Sequence, residues 1–153
     1  MAARPTETRR HRLPFVRTIV HDVGMFTSEA VTRTVRVSVS SEYAPARSRP
    51  QASEWFFLYT ITIKNEGDEA VQLMSRHWII TNADGVRQEV RGRGVVGEEP
   101  HIEPGGAFRY TSAAVLETPV GSMQGHYEFE ADGGERFLVP IPVFSLSVPN
   151  LVH

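Results

Sequence analysis

The segment Gly92-Arg93-Gly94-Val95-Val96-Gly97-Glu98-Glu99-Pro100-His101-Ile102-Glu103-Pro104-Gly105-Gly106 contains G-x-G-x-x-G, and how those glycines are read decides the fold. In a dinucleotide-binding unit they close a strand-to-helix turn and bring a pyrophosphate to the helix N-terminus, so the pattern has meaning only in front of a helix. Here Pro100 would interrupt a helix soon after the third glycine, and no stretch of the chain sustains a 3.6-residue apolar period. The Gly-Lys-Ser/Thr ending of a phosphate-binding P-loop is also missing. The glycines are therefore expected to form a bulge or crossover between strands.

Downstream of this segment, Pro104-Gly105 suits a type II turn, with proline presetting the first central residue and glycine taking the positive φ of the second. A strand is expected at residues 107–111. Residues 121–131 alternate, with Met123, Tyr127, Phe129 and Ala131 inward against Gln124, His126, Glu128 and Glu130 outward. Asp132-Gly133-Gly134 turns that strand into residues 135–146, making a hairpin. Pro140 and Pro142 lack amide donors, which puts the last strand at a sheet edge or breaks it in two.

Upstream, Asp84-Gly85 marks a hairpin with a two-residue primed turn, pairing residues 76–81 with 86–91. Residues 70–75 and 77–82 read as two short strands after turn chemistry at 65–69. Residues 54–64 place Trp55, Phe57, Tyr59, Ile61 and Ile63 on one face and should be a central strand. Residues 43–53, rich in Pro, Ala, Ser and Arg, are expected to be a long exposed loop. Residues 31–40 alternate cleanly, with Val35, Val37 and Val39 on the buried side, and predict one half-buried strand. Organised structure is expected from about Glu29. The whole is an all-β domain, an immunoglobulin- or fibronectin type III-like antiparallel β-sandwich of seven or eight strands spanning residues 24–148. Residues 1–23, with Arg4, Arg9, Arg10, Arg12 and Arg17, are expected to be a flexible basic extension, solvated rather than a transit peptide, and 149–153 a tail.

Composition bounds the function. A chain of 153 residues with 41% hydrophobic and 22% charged residues has room for one domain with a real core. A formal net charge of -2 gives no field for nucleic acid or anionic membrane, so neither is expected as a partner. The absence of cysteine removes disulfides, thiolate catalysis and Cys-type metal sites, and fits a reducing cytoplasm. Apolar runs are too short to span a bilayer, so a cytoplasmic location is expected.

The runs Trp55-Phe56-Phe57-Leu58-Tyr59-Thr60-Ile61-Thr62-Ile63-Lys64-Asn65-Glu66-Gly67, Leu73-Met74-Ser75-Arg76-His77-Trp78 and Gly92-Arg93-Gly94-Val95-Val96-Gly97 resemble the ApaG family. So do Tyr110-Thr111-Ser112, Gly121-Ser122-Met123-Gln124-Gly125-His126-Tyr127 and Ile141-Pro142-Val143-Phe144. The resemblance covers about residues 30–146. It implies a fibronectin type III-like sandwich, a bacterial protein and a family name tied to cobalt and magnesium resistance and to diadenosine tetraphosphate metabolism. It supplies no catalytic residues. Eukaryotic relatives carry the domain in F-box adaptors and in a polymerase-interacting protein, which implies binding as the common role. The chain departs from the family pattern at Glu99, where glutamine is common, at Arg93 (acidic), Asn82 (aspartate) and Ala113 (glycine).

Candidate chemistry is sparse. No G-x-S-x-G elbow is present, since Ser122 sits at the wrong offset between Gly121 and Gly125, and no enzyme activity is expected. His77, His101 and His126 lie in or beside the shared motifs, yet none shows a ligand spacing, so neither a metal nor a cofactor is assigned. Adjacent strand residues face opposite ways, so Trp78 fills the core while His77 faces away; the functional alternative puts Arg76 in an anion contact or partner interface. The candidate binding residues are Arg76, His77, Arg91, Gly92, Arg93, Gly94, Gly97 and Glu98. The expected function is a non-enzymatic domain binding an unidentified protein partner. The alternative is a nucleotide or pyrophosphate binder, acting on a phosphate-containing small molecule through the glycine-rich loop, as a weak hydrolase or as a binder alone. Glu98, Glu99 and Glu103 outnumber Arg91 and Arg93 there, which disfavours the anion. Monomer and homodimer are both compatible with the sequence, since exposed sheet edges allow β-augmentation.

Overall fold

The structure, a computed structural model, describes residues 15–20, as backbone alone, and residues 25–149. Among the described residues ten strands run antiparallel in two sheets. They are β1 (Phe15–Val20), β2 (Phe26–Thr32), β3 (Val35–Tyr43), β4 (Trp55–Asn65), β5 (Val71–Asn82), β6 (Arg87–Arg93), β7 (His101–Ile102), β8 (Ala107–Leu116), β9 (Val120–Ala131) and β10 (Arg136–Ser147). One sheet has the order β1-β2-β3-β4-β8; the other has β10-β9-β5-β6, with β7 pairing the start of β5. No helix among the described residues is long and apolar enough to cross a membrane.

The period-two faces set the core as expected. Val35, Val37, Val39, Phe57, Tyr59, Ile61 and Ile63 from the first sheet meet Leu73, Trp78, Met123, Tyr127, Phe129 and Phe144 from the second, all buried. β4 has partners on both sides, β3 and β8, and β10 with its two prolines lies at a sheet edge and carries a register shift between Ile141 and Phe144.

Five local expectations are corrected. The single strand over 31–40 is a hairpin, because Arg33 and Thr34 take φ of 46° and 69° and turn β2 into β3. This is a primed turn built from residues without its usual glycine or asparagine signature. The two short strands at 70–75 and 77–82 are one strand, β5, with a register shift between Leu73 and Ser75 against β9. The Asp84-Gly85 hairpin exists, but its loop is longer than two residues: Gly85 N donates to Asn82 O, Gly85 takes φ 79° and Asn82 Oδ1 accepts from the amides of Asp84 and Val86. Residues 43–53 are exposed but ordered into two single-turn 3-10 helices, Pro45–Arg47 and Pro50–Ala52, pinned by Ser48 and by the Arg49–Glu54 bridge. Structure begins before Glu29: β1, whose sequence is rich in β-branched and aromatic residues, pairs with β2, within the segment expected to be a free extension. Residues 1–14 and 21–24 of that extension, and the tail from 150, lie outside the described residues.

Candidate functional site

β5 and β6 position the candidate residues in two groups, one on each face of their sheet. In the register Arg76 is opposite Gly92, and His77 is opposite Arg91. Trp78 is buried and Val90, its cross-strand partner, packs against the core, so Arg76 and Gly92, two positions along each strand, share the inward face. His77 and Arg91 share the outward one. Period two therefore places Arg76 inward, with Trp78, at the end of the core.

Arg76 lies flat against Gly92, where an added Cβ would sit 3.0 Å from its guanidinium carbon. Its Nη1 donates to the carbonyls of Arg93 and Gly94, both at 2.9 Å. Beneath it are three tyrosines that no single motif points to: Tyr59, Tyr110 and Tyr127. Tyr110 and Tyr127 join hydroxyl to hydroxyl at 2.5 Å across the two sheets. Burial pushes all three phenols above their ordinary pKa, and the Arg76 charge partly offsets this in each. Arg76 thus ties the glycine-rich loop to β5, and the paired hydroxyls of Tyr110 and Tyr127 tie the two sheets together.

The loop after β6 is a closed miniature hairpin. Val95 and Glu98 exchange backbone hydrogen bonds of 2.8 and 2.9 Å, and Val96 and Gly97 turn the chain with φ of 44° and 79°. Gly94 takes φ 59° and donates its amide to Met74 O. A Cβ on Gly94 would lie 2.8 Å from the Glu98 carbonyl carbon, so only glycine fits. Val95 is buried, while Val96, Gly97 and Glu98 project into solvent at the tip. A phosphate cradle needs converging free amides. The amides of Val95 and Glu98 are spent inside the loop and that of Gly94 on β5.

On the outward face, His77 meets the His126 ring edge to face, with centroids 4.9 Å apart, and its Nε2 lies 3.4 Å from Glu89 Oε2. Burial first, then the charges of His77 and Arg91, hold the His126 pKa below its ordinary value, against Glu128. Arg93 pairs with Glu99 at 2.7 Å and Arg91 with Glu89 at 3.7 Å, so both exposed cations are matched locally. His101 stands apart, between Asp132 at 2.9 Å and Glu103 at 3.3 Å. Among the described residues no three His, Cys, Asp or Glu side chains are grouped to hold a metal. A recess of about 130 Å³ at the other end of β6, lined by Ile80, Val86, Val115 and Leu116 among others, is well below the roughly 300 Å³ at which pockets accept small ligands.

Of the expected site residues, Arg76, Gly92, Arg93 and Gly94 come together through one guanidinium, and His77 and Arg91 form a separate row with His126 and Glu89. Gly97 and Glu98 form the exposed tip. The chain is matched over residues 45–131 by the model of the ApaG domain. It is 54% identical over 119 residues to Protein ApaG of Sodalis glossinidius, covering 78% of this chain and 95% of the relative. Protein ApaG of Azoarcus is 49% identical over 126 residues, covering 82% of this chain and 99% of the relative. A crystal structure from Bordetella pertussis described as an ApaA protein is similar with a TM-score of 0.74 and 44% identity, covering 76% of this chain and 95% of that one.

Proposed function

The chain belongs to the ApaG domain family, and from that premise we propose that it is a non-enzymatic domain of the cytoplasm that binds protein partners through β6 and the loop of residues 92–100. The observation that supports this reading is the exposure of β6. It is an edge strand whose outer positions Arg87, Glu89, Arg91 and Arg93 are all exposed, and it leads into a loop held rigid by its own backbone bonds. A preformed loop beside a row of exposed charges offers a shaped, charged surface that a complementary protein can recognise. The nucleotide alternative is the weaker one, since the amides of Gly94, Val95 and Glu98 and both loop arginines already have partners. In this reading the cation resistance and diadenosine tetraphosphate metabolism attached to the family name arise through the partner rather than through chemistry at the loop.

The test uses exposed positions that leave the fold intact. Affinity capture from a lysate of the source cells is compared for wild type, Arg91→Glu and Val96→Glu, with unchanged melting curves as the control. Loss of the same partner from both variants is expected; a partner set indifferent to both moves the recognition surface elsewhere. Titration with ATP, diadenosine tetraphosphate and pyrophosphate, with and without magnesium, should leave the amide resonances of residues 90–106 unmoved, and saturable shifts there would establish the alternative.

A further inference from the structure

The other free edge on this side of the sandwich, β8, carries a different design. Among the described residues β8 closes the first sheet, paired on one side only, and its register with β4 runs unbroken from Lys64↔Ala107 to Trp55↔Leu116. Its outward residues Ala107, Arg109, Thr111, Ala113 and Val115 are all exposed. Soluble proteins guard such edges with charges, prolines, bulges or short strands. β6 has a charge at every outward position, and β10 has Pro140, Pro142 and a register shift. β8 is ten residues long, regular, free of lysine and proline, and has one charge. A long, flat, unguarded edge is stable in solution when something pairs with it.

We propose that two copies of this chain pair antiparallel through β8, with Ala113 opposite Ala113 of the partner subunit on the two-fold axis. Charge selects this register. Residues opposite each other in an antiparallel pair share a face. Centring on Ala113 sets Arg109 opposite Glu117 of the partner subunit, twice by symmetry, and Thr111 opposite Val115 of the partner subunit. Centring on Arg109 would oppose two guanidinium groups, and centring on Thr111 or Val115 would leave Arg109 opposite an uncharged residue. Arg109 and Glu117 are both exposed, and neither takes part in the ion pairs formed within the chain among the described residues. The smallest side chain sits where the two copies approach on the axis. Pairing makes one continuous sheet from two five-stranded ones and leaves β6 of each copy free for a partner.

Sedimentation of the full chain tests this directly. At low salt the mass should rise with concentration from 17.1 kDa toward twice that value over about 10 µM to 1 mM, and the association should weaken as salt is added. Arg109→Glu and Glu117→Arg should each weaken dimerisation at least about tenfold by placing like charges opposite. The double variant R109E/E117R should restore it, which a merely unfolded protein could not do. Ala113→Glu, at an exposed site, should abolish it with the melting curve unchanged. A chain monomeric throughout that range, or a dimer indifferent to R109E and A113E, overturns the proposal. A dimer broken by Glu89→Arg instead would place the contact on β6 and overturn it equally.

Discussion

Glycines fall in two groups, one in the loop after β6 and one in β9 against β5, and the two are needed for different reasons. In the loop the backbone conformation demands them: Gly94 and Gly97 take φ of 59° and 79°. In β9 the backbone is extended and space demands them. A Cβ on Gly125 would lie 2.9 Å from the His77 carbonyl carbon and 3.1 Å from Trp78 Cα, while one on Gly121 would meet Leu116 Cδ1 at 2.6 Å and Asn82 Cα at 3.4 Å. The obstacle at Gly125 is the backbone of a paired neighbouring strand, which cannot rotate away as a side chain can. A dense glycine motif thus draws the eye to the loop, whereas the closest packing is at an isolated glycine in the sheet.

Alanine substitutions sharpen this contrast. Gly125→Ala is expected to be the most damaging, at more than about 3 kcal/mol, because β5 and β9 must separate over several pairs to admit one methyl group. Urea unfolding should show a large fall in midpoint or loss of cooperative folding. Gly94→Ala comes next, at about 2 to 3 kcal/mol: positive φ costs roughly 1 kcal/mol, and overlap with the Glu98 backbone adds to it. Gly97→Ala should cost only about 1 kcal/mol, since its φ is strained but nothing lies within 4 Å of an added Cβ. Equal effects at Gly125 and Gly97 would break the distinction between space and conformation.

What could be seen from sequence follows the same division. Alternation over β4 and β9 marks their buried faces because one face is wholly apolar, and the Pro-rich β10 announces an edge. The Arg33-Thr34 turn was hidden because alternation continues on both sides of it, and neither residue advertises positive φ. The order of residues 43–53 depends on the Ser48 hydroxyl, which donates to Ala44 O and accepts from the Phe56 amide across the loop, and composition does not encode this. Arg76 shows a different limit. Its period-two relation to Trp78 was available, but a cation is normally placed outside. What makes the inward position tenable is the pair of carbonyls from Arg93 and Gly94, brought there only by the folded loop. The tyrosines below it come from β4, β8 and β9, so no linear motif could group them.

The two regions also treat histidine in opposite ways, and this gives the smallest but most local test. His126, beside Gly125 in the sheet, is lowered by burial and by His77 and Arg91, so protonation is easier in the unfolded chain than in the folded one. Its contribution to stability is complete above the ordinary value of 6.5 and is lost as pH falls through the lower folded value. His101, after the loop, is raised chiefly by its hydrogen bond to Asp132, with Glu103 adding to it. Its contribution is complete below 6.5 and fades as pH rises through the higher folded value. Ring-proton titrations followed by NMR should therefore give midpoints on either side of 6.5. His77→Gln should move His126 upward and leave His101 in place. Asp132→Asn should move His101 downward and leave His126 in place. Midpoints that coincide in the wild type, or a His126 midpoint unmoved by His77→Gln, would mean that the outward row of β9, β5 and β6 is more open to water than its packing implies.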